Sequence, residues 1–133
     1  MISIETQISL FLDNRPGTLA RACEALAKAS INILAMSIYD MVDQAIVRMV
    51  VSDAKKAVGI LQQLHASVYE KEVLVMRIPN KPGAIALIAQ RLAAAGINLE
   101  YAYCTSSPHE MGQMILRTNN LEETINALTE LEK

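Results

Sequence analysis

The 133-residue chain has no tryptophan, one phenylalanine and four tyrosines. So few flat side chains cannot build a platform on which nucleobases stack. It also lacks any concentration of positive charge. No Lys/Arg run exceeds Lys55-Lys56, and 12 basic against 14 acidic side chains leave a formal charge of −2. A phosphate backbone finds no basic face here, so no nucleic-acid partner is expected. Cysteine is scarce: Cys23 and Cys104 stand far apart, in no CxxC or metal spacing, and read as small apolar residues in a reducing compartment. His65 and His109 are the two histidines, and neither has ligand partners at metal spacing. No metal and no cofactor are expected. Thr105-Ser106-Ser107 ahead of Pro108 and His109 reads as a turn rather than a catalytic constellation. Long apolar runs are absent too: Ala45 to Val51 is broken by Arg48, and Met1 to Gln7 has neither a basic nor an apolar leader segment. The expectation is a cytoplasmic protein with no membrane contact.

What the chain does have is apolar material for a core, 52% hydrophobic against 20% charged residues. It also has an internal repeat. Asn14-Arg15-Pro16-Gly17 superimposes on Asn80-Lys81-Pro82-Gly83, an offset of 66 (80 − 14). Without a gap, Ala20, Leu26, Ala27, Ala29, Ile31 and Asn32 then recur as Ala86, Leu92, Ala93, Ala95, Ile97 and Asn98. Beyond this, Ala45–Val51 corresponds to Gly112–Thr118 with one extra residue in the second copy. The boundaries this implies are 1–71 and 72–133, with no Gly/Ser/Pro-rich linker between them.

Each copy reads as the same series of elements. Ile8 to Leu12 is a strand, broken at Asn14-x-Pro16-Gly17. Leu19, Ala22, Leu26 and Ala29 stripe a helix at three- and four-residue spacing. Ile31–Tyr39 and Ala45–Val51 are strands, Asp53 caps a helix through Val58, Leu61 and Leu64, and Val68–Glu70 is a short fourth strand. In the second copy Val73–Ile78, a helix striped by Ile85, Ile88, Leu92 and Ala95, Leu99–Cys104 and Met114–Arg117 follow the same order. Asn120 and Glu123 there make a capping box for a helix through Ile125, Leu128 and Leu131. The fold class is α+β: two ferredoxin-like βαββαβ units side by side, each an antiparallel sheet with helices on one face. The sequence ends at Lys133, where the fourth strand of the second copy is due, so that strand is missing, truncated or supplied by another segment. Ile2-Ser3-Ile4, in front of the first strand, could supply it.

The repeated loop has a chemical reading and a plain one. Pro at the first helical turn loses no hydrogen bond, and Gly lets a ligand approach the backbone. First-turn N–H groups and the helix dipole favour a carboxylate, and Asn adds an acceptor and a two-proton donor. An α-amino acid needs an anion site and an acceptor for its ammonium group, and this loop offers both. Equally, Asn before Pro-Gly is ordinary turn chemistry, which duplication copies as faithfully as a binding site. Asn32 and Asn98, in Ser30-Ile-Asn-Ile and Gly96-Ile-Asn-Leu, open the following strand and read as turn residues unless they face another repeat's loop.

On Asn14-Arg-Pro-Gly-Thr-Leu with Ser30-Ile-Asn-Ile, and Asn80-Lys-Pro-Gly-Ala-Ile with Gly96-Ile-Asn-Leu, both copies resemble the ACT domain, a regulatory amino-acid-binding module of metabolic enzymes. The spacing is similar to that of the serine-sensing ACT domain of phosphoglycerate dehydrogenase. That family has a His two residues before the loop Asn; Leu12 and Ile78 stand there in this chain, so the resemblance does not extend to serine. The resemblance implies units joined edge to edge through their second strands into an eight-stranded sheet, with ligands at the seam. It implies one site from Asp13, Asn14, Arg15, Pro16 and Gly17 with Asn98, and another from Asn80, Lys81, Pro82 and Gly83 with Asn32. Asp13 favours the first site, because Pro79 takes its place in the second copy. The expected function is a regulator that binds a small molecule, an amino acid, and acts on a partner metabolic enzyme, with no catalysis of its own. The alternative is a ligand-independent interaction module or regulatory subunit. Ile38, Ile46 and Met49, taken as one exposed sheet face, suggest a homodimer.

Overall fold

A computed structural model describes residues 2–106, 108 and 111–132. His109, with its possible role, lies outside the described residues. The elements run β1 (Ile2–Asp13), α1 (Thr18–Lys28), β2 (Ile33–Asp40), β3 (Gln44–Val51), α2 (Ala54–Gln62), β4 (Ser67–Ile78), α3 (Ala84–Ala94), β5 (Leu99–Cys104), β6 (Gly112–Thr118) and α4 (Leu121–Thr129), then a 3-10 turn, Glu130–Glu132. No helix among the described residues is long and apolar enough to cross a membrane. The chain forms two ferredoxin-like units. Thr6–Lys71 makes the first, and residues 2–5 group with 72–132 in the second. Against the expected boundary of 1–71, residues 2–5 of the leading strand belong with the other unit. Ile2 packs against the core of that second unit.

In the first unit the strand order is β2-β3-β1-β4. Register explains its core. Ile8 lies opposite Met49 and Leu10 opposite Val47, all four fully or almost fully buried beneath Ala22, Leu26, Ala57 and Leu61 of the two helices. Side chains alternate faces along a strand, so Gln7, Ser9 and Phe11 fall on the other side. Met49 faces the helices, and Ile46, opposite Phe11, faces away. The expected exposed face of Ile38, Ile46 and Met49 therefore does not exist, since positions 46 and 49 differ by an odd number. Phe11 meets Tyr69 edge to face, ring centroids 5.6 Å apart. The Asp53 carboxylate accepts the Lys56 N–H at 3.1 Å and caps α2. Burial pushes the Cys23 thiol up from its usual range.

In the second unit the order is β1-β4-β6-β5. Leu74, Met76, Met114 and Leu116 pack beneath Ile88, Leu92 and Leu128. Asn120 caps α4 by accepting the Glu123 N–H at 3.0 Å. Two buried threonines meet below that cap: Thr118 and Thr124 hydroxyls are 2.6 Å apart, and Thr124 also donates to the Asn120 carbonyl at 2.7 Å. At the matching offset of 67 (118 − 51, 124 − 57) the first unit buries Val51 and Ala57. Arg117, which interrupts an apolar strand, is only 25% exposed at its side chain, and it donates to the Glu72 carbonyl at 2.6 Å.

The elements differ from the sequence reading in two further ways. Val68–Glu70 and Val73–Ile78 are one continuous strand, β4, because nothing between Ser67 and Ile78 is Gly or Pro and the chain has no reason to turn. Each of β1 and β4 has residues in both units. The second strand of each unit, β2 or β5, pairs only with its neighbour β3 or β6, and its outer edge carries no strand among the described residues.

Candidate functional site

Arg15-Pro16-Gly17-Thr18 is a type II turn. The Thr18 N–H points to the Arg15 carbonyl at 3.5 Å, Pro16 occupies the position where its ring pre-sets φ, and Gly17 sits at φ 93, ψ −16. Lys81-Pro82-Gly83-Ala84 repeats it, with Ala84 N–H to Lys81 carbonyl 3.3 Å and Gly83 at φ 89, ψ −9. An L side chain at such a φ is strained, while a Cβ at either glycine would meet nothing within 4 Å. The requirement is conformational. Both helices start after the glycine, so Pro16 and Pro82 lie in the turn and not in the first helical turn as the motif suggested. Gly17 and Gly83 accept the first helical bonds from Arg21 and Leu87, each at 3.0 Å, and no side chain caps either helix. Uncapped first-turn N–H groups remain at both sites.

Each turn borders a groove at the same place in its unit. In the first, about 400 Å³ is enclosed by the end of β1, the Pro-Gly turn, Arg21 on α1, Gln44 and the α2–β4 connection at His65. In the second, about 510 Å³ is enclosed by Arg77 to Pro79, the Pro-Gly turn, Leu87 on α3 and Leu131. The repeat offset superimposes the linings, and they differ in kind. Asp13, Thr18 and Arg21 of the first groove become Pro79, Ala84 and Leu87 of the second, while Arg15 becomes Lys81. Thr18 donates to the Asp13 and Arg15 carbonyls at 2.8 and 3.1 Å, and Arg15 is 3.8 Å from the Asp13 carboxylate. Gln44 and His65 carried no signal in the sequence, since elements far along the chain bring them to the groove, while Arg21 follows the turn on α1. His65 holds a left-handed conformation, φ 62, at that connection.

The asparagines behave differently from the prolines and glycines. Asn14 does not line the first groove. Its carboxamide donates to Asp40 Oδ1 at 2.8 Å and to the Val42 carbonyl at 2.9 Å, tying the loop to the β2–β3 turn. Asn80 is also engaged, and it lines a separate cavity of about 290 Å³ with Cys104, Thr105, Ser106 and Gly112. Asn32 exchanges backbone bonds with Ser52, N–H to Oγ and carbonyl to N–H, both 2.9 Å. Asn14 and Asn32 flank α1, an 11-residue helix about 16 Å long, so one unit does not bring them together. Asn98 is exposed just ahead of β5. Among the described residues no cluster of three His, Cys, Asp or Glu could hold a metal ion.

Comparison with known proteins agrees with this architecture. No curated protein sequence matches the chain. The structure of protein BT0572 from Bacteroides thetaiotaomicron is similar at 34% identity and TM-score 0.92, over 98% of this chain and 90% of that one. The ligand-free regulatory subunit of aspartate kinase from Thermus thermophilus is similar at 16% identity and TM-score 0.71, over 97% and 95%. The regulatory subunit of aspartate kinase from Thermus flavus gives 18% and 0.66, over 99% and 97%. At such identities these two establish the fold alone. The family model described as "ACT domain pair" matches residues 2–132, and the chain belongs to that family.

Proposed function

We propose that the chain is a regulatory protein that binds a small molecule, an amino acid, at its Pro-Gly turns and passes the signal to a partner such as a metabolic enzyme. The carrying observation is the duplicated type II turn, each copy opening an uncapped helix beside a groove of small-molecule size. Those N–H groups suit a carboxylate, and Asp13 beside the first groove suits an ammonium group. The aspartate kinase subunits of similar fold are regulatory by description, and the same role is read here without catalysis. Arg15, Pro16 and Gly17, and Lys81, Pro82 and Gly83, are the contact residues in this reading. Asn14 shapes its loop. A ligand that touches both a loop asparagine and Asn32 or Asn98 needs a second unit.

The alternative, an interaction module, draws on the β2 edge. Leu34, Met36, Ile38 and Tyr39 are 40–62% exposed along a strand whose outer N–H and C=O groups lack a neighbour strand among the described residues. We assign this edge to a second copy of the chain, so the regulator is a homodimer. A thermal-shift panel of amino acids tests the main reading, because a ligand of the folded state stabilises by RT ln(1 + [L]/Kd). A dimer with no response to any amino acid favours the alternative.

A further inference from the structure

The two grooves share one backbone frame, so differences in their lining are differences in what they accept. Position by position, the first groove replaces Pro79, Ala84 and Leu87 with Asp13, Thr18 and Arg21. Arg21 is the decisive one. It stands on the groove wall, and its guanidinium has no hydrogen-bond or ion-pair partner among the described residues. Arg15, on the same groove, is held among the described residues only by Asp13 at 3.8 Å, with both side chains about two-thirds exposed. Such a contact is weak and easily exchanged for a better one. The groove therefore offers two planar forks suited to carboxylates and one carboxylate suited to an ammonium group.

We propose that the first groove is selective for an acidic amino acid, one carboxylate going to Arg15, the other to Arg21 and the ammonium group to Asp13. Two cations and one anion meet a ligand with two anions and one cation. The second groove keeps two cations, Lys81 and Arg77, but no carboxylate lines it, since Pro79 stands where the first has Asp13, and Leu87 takes the place of Arg21 on the helix wall. This rests on the reading of the Pro-Gly grooves as amino-acid sites and names the ligand class of one of them.

Isothermal titration of the full chain with L-aspartate, L-glutamate, L-asparagine, L-glutamine and L-leucine tests it, repeated on Arg21→Leu and Arg15→Gln. The expected result is that one or both acids bind, their amides bind more weakly, and either substitution weakens the acids by about tenfold to a hundredfold, the usual cost of a lost charge-assisted hydrogen bond. Arg21 and Arg15 are exposed, so both variants fold. If an amide or leucine binds as tightly as the acids, or Arg21→Leu keeps full affinity for them, the acidic selectivity is overturned while the amino-acid reading stands. If none of the five binds and another amino acid does, the selectivity is again overturned. If no amino acid binds at all, both fall.

Discussion

Asn14 and Asp40, 26 residues apart, are joined by a hydrogen bond of 2.8 Å from carboxamide to carboxylate. The same carboxylate oxygen accepts the Val42 N–H at 2.8 Å, and Asn14 also donates to the Val42 carbonyl. Together they hold Val42 at φ 73, a conformation that a β-branched residue rarely adopts. The Pro-Gly loop and the β2–β3 turn thus form one object in the first unit.

Removing either partner loosens that object. Asn14→Ala and Asp40→Ala each destabilise the chain by about 1 kcal/mol, because the bonds are exposed and net hydrogen-bond gains in water are small. Their effects overlap, so the double variant costs clearly less than the sum. Urea denaturation of the four proteins measures this. Additive losses would show that the two side chains do not act together.

The turn glycines and Gly112 are demanding for different reasons. Gly17→Ala costs about 1–2 kcal/mol through its left-handed φ alone, with open space around it. A Cβ at Gly112 would lie 2.1 Å from the Thr105 carbonyl oxygen, so Gly112→Ala forces the backbone apart and costs more than Gly17→Ala. Thermal melts of the two variants rank them. The reverse order would contradict the close approach of Thr105 and Gly112.

The buried threonine pair predicts an asymmetry. Thr124 spends its proton on the Asn120 carbonyl, so Thr118 is the donor between the two hydroxyls. Thr124→Ala strands the Thr118 hydroxyl and costs about 1–3 kcal/mol from the hydroxyl alone, beyond its lost methyl. Thr118→Val leaves Thr124 still donating and costs less. The pair Thr118→Val with Thr124→Ala copies Val51 and Ala57 of the first unit, so the second change costs less once the first is made. Equal single losses in denaturation would refute the assignment of donor.

Much of the fold was legible because its signals are local. Pro16-Gly17 with Pro82-Gly83 set the repeat, Asp53 and Asn120 mark real caps, and leucine spacing marks the helices. The misreadings also have physical causes. Ile46 and Met49 looked alike in hydrophobicity, but strand parity puts them on opposite faces. The residues before β1's predicted start have no local marker for the unit they join. At the site, the turn residues could be read and their partners could not. Asp40, Gln44 and His65 reach the first loop only through tertiary pairing. Asn14, the most suggestive residue of the motif, is engaged by a side chain whose position no spacing rule predicts.

The duplicated Pro-Gly turns are proposed as the binding sites of an amino-acid sensor. The most direct measurement is the melting temperature of the full chain with each of the twenty amino acids at millimolar concentration. At least one is expected to raise it by several degrees, since a ligand at a hundred times its Kd contributes about 2.7 kcal/mol. A melting temperature unmoved by all twenty would contradict it.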